Sequence, residues 1–257
     1  MAAHDNSTPA QRHPPCSPGP QRGTAAVTAI AIFVKTPGLS PVKTRLAACS
    51  GQAWAEAWHI RAARAVAETA RAAQVGPVYW AVAESAASAG SHWPDLPLLE
   101  QGHGGLGERM GSILEWLVTH HGSGLLLGAD APQFQPAWLE RAHDWLAAPD
   151  ARLCLGPARD GGFWTFGANR VPERERWNTV HYSQASTCKE FRQTMQDLGE
   201  WLTLPALSDL DQFDDLAVMI SELKALERPQ PGQSALLAWL RKPGPSLTAD
   251  AGSIQKC

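Results

Sequence analysis

The sequence predicts an α/β domain, doubly wound, with a mainly parallel sheet sandwiched by helices. Three observations predict it. Short, fully apolar runs bounded by turn residues recur along the chain, as expected of strands buried on both faces. Longer Ala-rich or amphipathic stretches of helical spacing lie between them. Charged and glycine-rich segments follow the apolar runs directly, at the strand ends where open α/β sheets gather ligands.

The 257 residues suffice for one sizeable core. A net charge of -3 and a pI near 6.3 give no general attraction to nucleic acid or to an anionic membrane, so any phosphate binding must be local. Cys16, Cys49, Cys154, Cys188 and Cys257 form no CxxC pair, which fits a reducing compartment better than a disulfide framework or a zinc site. The nine histidines make no HExxH spacing, and the adjacent His120 and His121 read as a solvated helix end. No apolar run approaches the roughly 20 residues needed to span a bilayer. Met1 to Gly23 is rich in Pro, Ser, Gln and Gly and lacks the apolar stretch of a signal peptide, so a cytoplasmic location is expected. The expected organisation is a disordered tail over 1–26, a doubly wound α/β domain over 27–228, and a C-terminal helix with a loose tail over 229–257.

Val27 to Val34 is apolar throughout and predicts a central strand. The loop Lys35-Thr36-Pro37-Gly38-Leu39-Ser40-Pro41-Val42-Lys43-Thr44-Arg45-Leu46 follows, with Lys35, Lys43 and Arg45 offering positive charge to a polyphosphate. It matches neither the Walker A order nor GxGxxG, and a solvated basic surface is its plainer reading. Gln52 to Gln74 predicts a helix with Trp54 and Trp58 as core packing. Pro77 to Glu84 and Leu96 to Gln101 predict two more strands, separated by a loop over Ser85 to Pro94. The glycine-rich turn Gln101 to Arg109 opens a helix to about Thr119. There Gly105 and Gly107 allow a close backbone approach to a nucleotide, and Arg109 is a candidate phosphate contact.

Gly124 to Gly128 is an apolar strand running into a lone carboxylate, Asp130, placed to hold a cation against phosphate or to cap the next helix. Pro136 to Ala147 predicts that helix, with Trp138 and Trp145 on its buried stripe. Ala151 to Pro157 predicts a strand, then Asp160-Gly161-Gly162 a tight turn whose aromatic continuation flanks a cleft. A helix is expected from Ser183, as N-cap, to Leu198, and a short strand from Leu202. In Ser208 to Leu216, Asp209 and Asp211 alternate in an extended segment, so they share a face and add carboxylates for a metal; a helix to about Leu226 follows.

The ordered set VKTPG with VKTRL, QGHGGLGERM, LLGADAP, LGPARDGGFW, WNT and DLDQFDDL resembles the glycosyltransferase-A-like proteins labelled arsenosugar biosynthesis glycosyltransferases. It is more distantly similar to 2-phospho-L-lactate guanylyltransferase and the molybdenum cofactor guanylyltransferase. The resemblance covers about Ile30 to Leu226 and implies a nucleotide-diphospho-sugar transferase fold. Where the family has Gly-Thr-Asp-Cys-Pro this chain has Gly-Ala-Asp-Ala-Pro, and Asp-Gly-Gly-Phe-Trp replaces Asp-Gly-Gly-Tyr-Tyr. The Asp of the family's GDLGERM is Gly105 here. Asp130 and the Asp-Gly-Gly turn survive these changes, while the Thr, the Cys and two tyrosine hydroxyls that the resemblance would offer an acceptor are absent.

The expected chemistry is transfer from a nucleotide-activated donor to a small acceptor. Asp130 with Asp211 or Asp209 would anchor Mg²⁺ or Mn²⁺, and Lys43 and Arg45 would stabilise the departing phosphate. Asp160 is a candidate for orienting the acceptor or acting as base. Glycosyl transfer from a sugar nucleotide is favoured slightly; nucleotidyl transfer from a nucleoside triphosphate is the alternative. A nucleotide-binding module without turnover is a third reading.

Overall fold

The computed structural model describes residues 27–242. The expected tails at 1–26 and 243–257 lie outside the described residues.

Seven strands form one sheet. They are β1 (Val27–Val34), β2 (Val78–Val82), β3 (Leu98–Glu100), β4 (Gly122–Gly128), β5 (Arg152–Pro157), β6 (Phe163–Ala168) and β7 (Glu200–Thr203). Their spatial order is β3-β2-β1-β4-β6-β5-β7. β1 is parallel to β2 and β4, and β5 is parallel to β7. β6 alone runs antiparallel, between β4 and β5. The aromatic continuation of the Asp-Gly-Gly turn is β6, the second arm of a hairpin with β5.

The helices are α1 (Thr44–Ser50), α2 (Gln52–Ala72), α3 (Ala86–Ala89), α4 (Leu106–His121), α5 (Pro136–Leu146), α6 (Arg174–Asn178), α7 (Thr187–Thr194), α8 (Leu216–Lys224) and α9 (Pro231–Leu240). α2 and α5 cover one face of the sheet, where Ala63, Val66, Leu139 and Leu146 meet Ile30, Ile32 and Leu127. α4, α6 and α7 cover the other, with Leu114, Leu117, Trp177 and Phe191 against Ala29, Leu126 and Phe166. A sheet covered on both faces explains why β1 and β4 read as unbroken apolar runs rather than alternating ones. None of the described helices is long and apolar enough to cross a membrane.

The tryptophans assigned to the core lie there, joined by Trp80 of β2. Trp58 and Trp80 are buried, Trp54 stacks on Trp239, and Trp138 and Trp145 pack on the α2/α5 core. Trp164 and Trp177 are also buried, at 4% and 1% exposure.

Three local expectations need correction. Thr44 to Leu46, read as the end of a loop, begins a helix that runs to Ser50, and a short helix interrupts the Ser85 to Pro94 segment. Ser183 does not cap a helix: its φ of 62° is left-handed, whereas an N-cap is extended, and α7 starts only at Thr187.

A third apolar cluster joins α1, α2, α8 and α9 through Leu46, Trp58, Met219, Leu223, Leu236 and Leu240. Leu210, from the loop after β7, inserts into it with no exposure. Burying such a side chain stabilises by roughly 1.5–3 kcal/mol, enough to fix the loop that carries it.

Candidate active site

β1 and β4 are neighbours at the point where the chain, having laid β2 and β3 to one side, crosses to the other. Loops leaving their carboxyl ends diverge there and open a crevice, the usual ligand position in such sheets. A cleft of about 1190 Å³ occupies this edge. That exceeds the roughly 300–1,000 Å³ of a single small-molecule pocket.

The loop after β1 is fixed at its start. Glu84 accepts hydrogen bonds from the Thr36 amide (3.1 Å) and hydroxyl (2.8 Å), and Trp93 Nε1 donates to that hydroxyl. Burial works against the Glu84 charge, but hydrogen bonds from Ser40 and Thr36 outweigh it and hold its carboxyl below the ordinary range. His59 Nε2 lies 2.9 Å from the Lys35 carbonyl, which can only accept, so this nitrogen carries the proton. Burial pushes the His59 pKa down, keeping the ring neutral.

At the other end of the loop, buried Val42 and Leu46 flank Lys43. Lys43 itself adopts φ 44°, ψ 46°, a left-handed conformation that costs a non-glycine residue roughly 1–2 kcal/mol. The turn delivers its ammonium into the cleft. Lys43 Nζ stands 2.9 Å from Asp130 Oδ2 and 2.6 Å from Asp211 Oδ1, with only 8% of its side chain exposed. Burial alone would lower its pKa, yet the two carboxylates hold it above its ordinary value. Burial likewise opposes the Asp130 charge, and Lys43 overrides it, keeping Asp130 below the usual carboxylate range.

Asp130 lies two residues beyond β4; Asp209 and Asp211 follow β7 on either side of buried Leu210. The inward leucine turns both acids toward the cleft. One oxygen from each of Asp130, Asp209 and Asp211 lies within 4.8 Å of the others, and no other such trio occurs among the described residues. Asp209 has no hydrogen-bond or ion-pair partner among those residues. Burial, reinforced by the charges of Asp130, Asp211 and Asp160, pushes its pKa up to about 7 despite Lys43. Three carboxylates thus share one buried ammonium and remain short of positive charge. Hard oxygen donors in this deficit suit Mg²⁺ or Mn²⁺, so the residues present fit a divalent ion.

The remaining candidates are placed less centrally. Arg45 is 73% exposed and 4.0 Å from Asp211, at the cleft rim. Lys35 and Arg109 line the cleft; Lys35 is exposed, and Arg109 Nε donates to the Gly104 carbonyl at 3.0 Å. Asp160 lines it too, and its Oδ1 accepts from the Gly162 amide at 2.9 Å, closing its own turn. Gly105 and Gly107 do not line it. The Gly105 amide donates to Glu108, and a Cβ on Gly107 would stand 2.5 Å from the Trp177 carbonyl oxygen, so packing on Trp177 and Tyr182 requires that glycine. The cleft is also lined by Arg159, Tyr182, Gln184 and Thr187, which sequence reasoning did not single out.

Residues 64–184 match the family described as "Uncharacterized protein conserved in bacteria (DUF2064)". No curated protein matches the chain. Among solved structures, a protein of Desulfovibrio desulfuricans G20 assigned as a nucleotide-diphospho-sugar transferase superposes with a TM-score of 0.70 at 20% identity, over 84% of this chain and 99% of that one. A nucleotidyl transferase from Methanothermobacter superposes with a TM-score of 0.53 at 10% identity, over 77% and 99%. The fold is therefore that of the nucleotide-diphospho-sugar transferases, in a chain whose residues 64–184 match the DUF2064 family.

Proposed function

We propose that the protein is a divalent-metal-dependent transferase that moves a sugar from a nucleotide-activated donor to a small acceptor. The observation that supports this best is the convergence of Asp130, Asp209 and Asp211 with Lys43 at the switch point of the sheet. The three carboxylates would hold Mg²⁺ or Mn²⁺, which when bound acts as a Lewis acid toward donor phosphate oxygens. Lys43, charged and already inside the cleft, opposes the negative charge left on the departing diphosphate. Arg45 and Lys35 add positive charge at the entrance, and Arg109 bounds the donor side. Asp160 keeps one carboxylate oxygen outside its turn, free to orient an acceptor hydroxyl or take its proton. The apolar floor of Leu126, Leu127 and Ala129 lowers the local dielectric and strengthens each of these interactions.

A second reading is nucleotidyl transfer from a nucleoside triphosphate with release of pyrophosphate. It is favoured by a basic loop placed directly after β1 that returns Lys43 to the strand edge. Incubation with Mn²⁺ and a panel of sugar nucleotides and nucleoside triphosphates separates the two. Nucleoside diphosphate release marks glycosyl transfer, and pyrophosphate marks nucleotidyl transfer. Asp130→Asn is expected to abolish turnover while the fold survives; metal-dependent turnover that persists in Asp130→Asn sinks both. Nucleotide binding with no turnover of any donor would leave a binding module.

A further inference from the structure

Glu222 sits in the last turn of α8, outside the cleft wall, with its side chain 22% exposed. A carboxylate there opposes the helix macrodipole, so its position calls for another cause. Its two oxygens gather three segments. Oε2 accepts from Gln133 Nε2 at 2.8 Å and from the Ser208 amide at 3.3 Å; Oε1 accepts from Ser208 Oγ at 3.0 Å and from Arg159 Nε at 3.4 Å. Gln133 Nε2 also donates to the Ser208 carbonyl, which ties two of the segments together.

Each partner is a near neighbour in sequence of a cleft acid. Gln133 stands three residues after Asp130, Arg159 immediately before Asp160, and Ser208 immediately before Asp209. These segments leave β4, β5 and β7, and beyond the strands the sheet adds only an Ala158–Leu207 bridge and nearby amide bonds between the last two. No sheet pairing links the β4 segment to either of them. The like charges of Asp130, Asp160 and Asp209 push the loops apart, and the hydrogen bonds on Glu222 resist that push from behind. Gln133 and Ser208 are 2% and 8% exposed, so water offers little substitute for the carboxylate.

We infer that Glu222 is a positioning residue: one carboxylate behind the cleft that fixes the separation of the acids carried by three different strand ends. What that separation serves rests on the metal reading proposed above; the bracing does not. Carboxylates around a metal's ligands commonly set its affinity, and losing one typically weakens binding 10- to 100-fold.

The test is titration of the metal-free protein with Mn²⁺ alone, reading free Mn²⁺ by electron paramagnetic resonance. Glu222→Met keeps the bulk and removes every acceptor. Glu222→Gln still accepts from Gln133 and the Ser208 amide through its oxygen, and its NH₂ donates to Ser208 Oγ. Mn²⁺ affinity is expected to fall at least tenfold in Glu222→Met and to stay within about threefold of wild type in Glu222→Gln. Should Glu222→Met not fold, Gln133→Met, which cuts the brace from the other side, is expected to show the same tenfold loss. Unchanged affinity in the folded Met variant overturns the inference, as does equal loss in Met and Gln variants. If wild type itself shows no Mn²⁺ binding that Asp130→Asn removes, the metal reading fails, and hydrogen–deuterium exchange decides the brace. Residues 131–135, 158–162 and 205–212 exchanging faster together in Glu222→Met support it; acceleration in one segment or none overturns it.

Discussion

Replacing Lys43 by methionine removes an ammonium and leaves a stem of similar length, so its effect is mainly electrostatic. At an effective dielectric near 20, the contacts of 2.9 Å and 2.6 Å to Asp130 and Asp211 each correspond to about 6 kcal/mol of gross attraction. Most of this is offset. The ammonium is desolvated at 8% exposure, while the carboxylates, 38% and 40% exposed, are screened by solvent. Breaking a buried pair costs about 3–5 kcal/mol and an exposed one about 0–1, and this arrangement lies between. Lys43→Met is therefore expected to lose about 2 kcal/mol, read by urea denaturation in the presence of a chelator. The loss also has a required pH dependence. Asp130 has a folded pKa below its ordinary 3.8, so its share of the stabilisation is present above pH 3.8 and vanishes as pH falls through the lower value. Wild type and variant should converge in that acid range. A variant as stable as wild type at pH 7, or a difference that persists unchanged into strong acid, would refute the claim that Lys43 is the counter-charge of this cluster.

Gly107→Ala is expected to destabilise by about 1–3 kcal/mol, because the added Cβ meets the Trp177 carbonyl oxygen at 2.5 Å; a changed donor affinity without loss of stability would show a ligand contact instead. Leu210→Ala is expected to cost roughly 2–5 kcal/mol in denaturant and to weaken Mn²⁺ binding in the same titration, since the leucine anchors both flanking acids; retained Mn²⁺ affinity would show that the acids hold their places unaided. His59, with a folded pKa below 6.5, contributes stability that is fully present above pH 6.5 and lost as pH falls through the lower value. Parallel stability profiles for wild type and His59→Gln between pH 4 and 7 would contradict this.

The parts of the molecule that the sequence disclosed are those whose cause is local. β1 and β4 were readable because burial on both faces leaves only apolar residues, and Asp130 because it follows such a run directly. The Asp209-Leu210-Asp211 pattern was readable because alternation in extended chain separates an anchor from two acids. α1 was missed because its start depends on the left-handed turn at Lys43, a conformation that Pro and Gly in the preceding loop do not announce. The short α6 carries too few turns to show periodicity. The glycines of the 101–109 turn looked like a ligand cradle, but Gly107 answers to Trp177 and Tyr182, some 70 residues further along. Glu222 gave no sign at all: its partners Gln133 and Arg159 are 89 and 63 positions away, and only the closed fold brings them together.

The strand order has a kinetic consequence. Val27 pairs with Gly122, so the two central strands meet only after a chain segment of more than ninety residues has been drawn closed. β1, β2 and β3 are consecutive and can associate sooner, whereas the β1–β4 seam waits on the longer-range encounter. During synthesis Lys43 emerges well before either of its anionic partners, so the cluster at this edge of the sheet stays incomplete until Asp211 has followed.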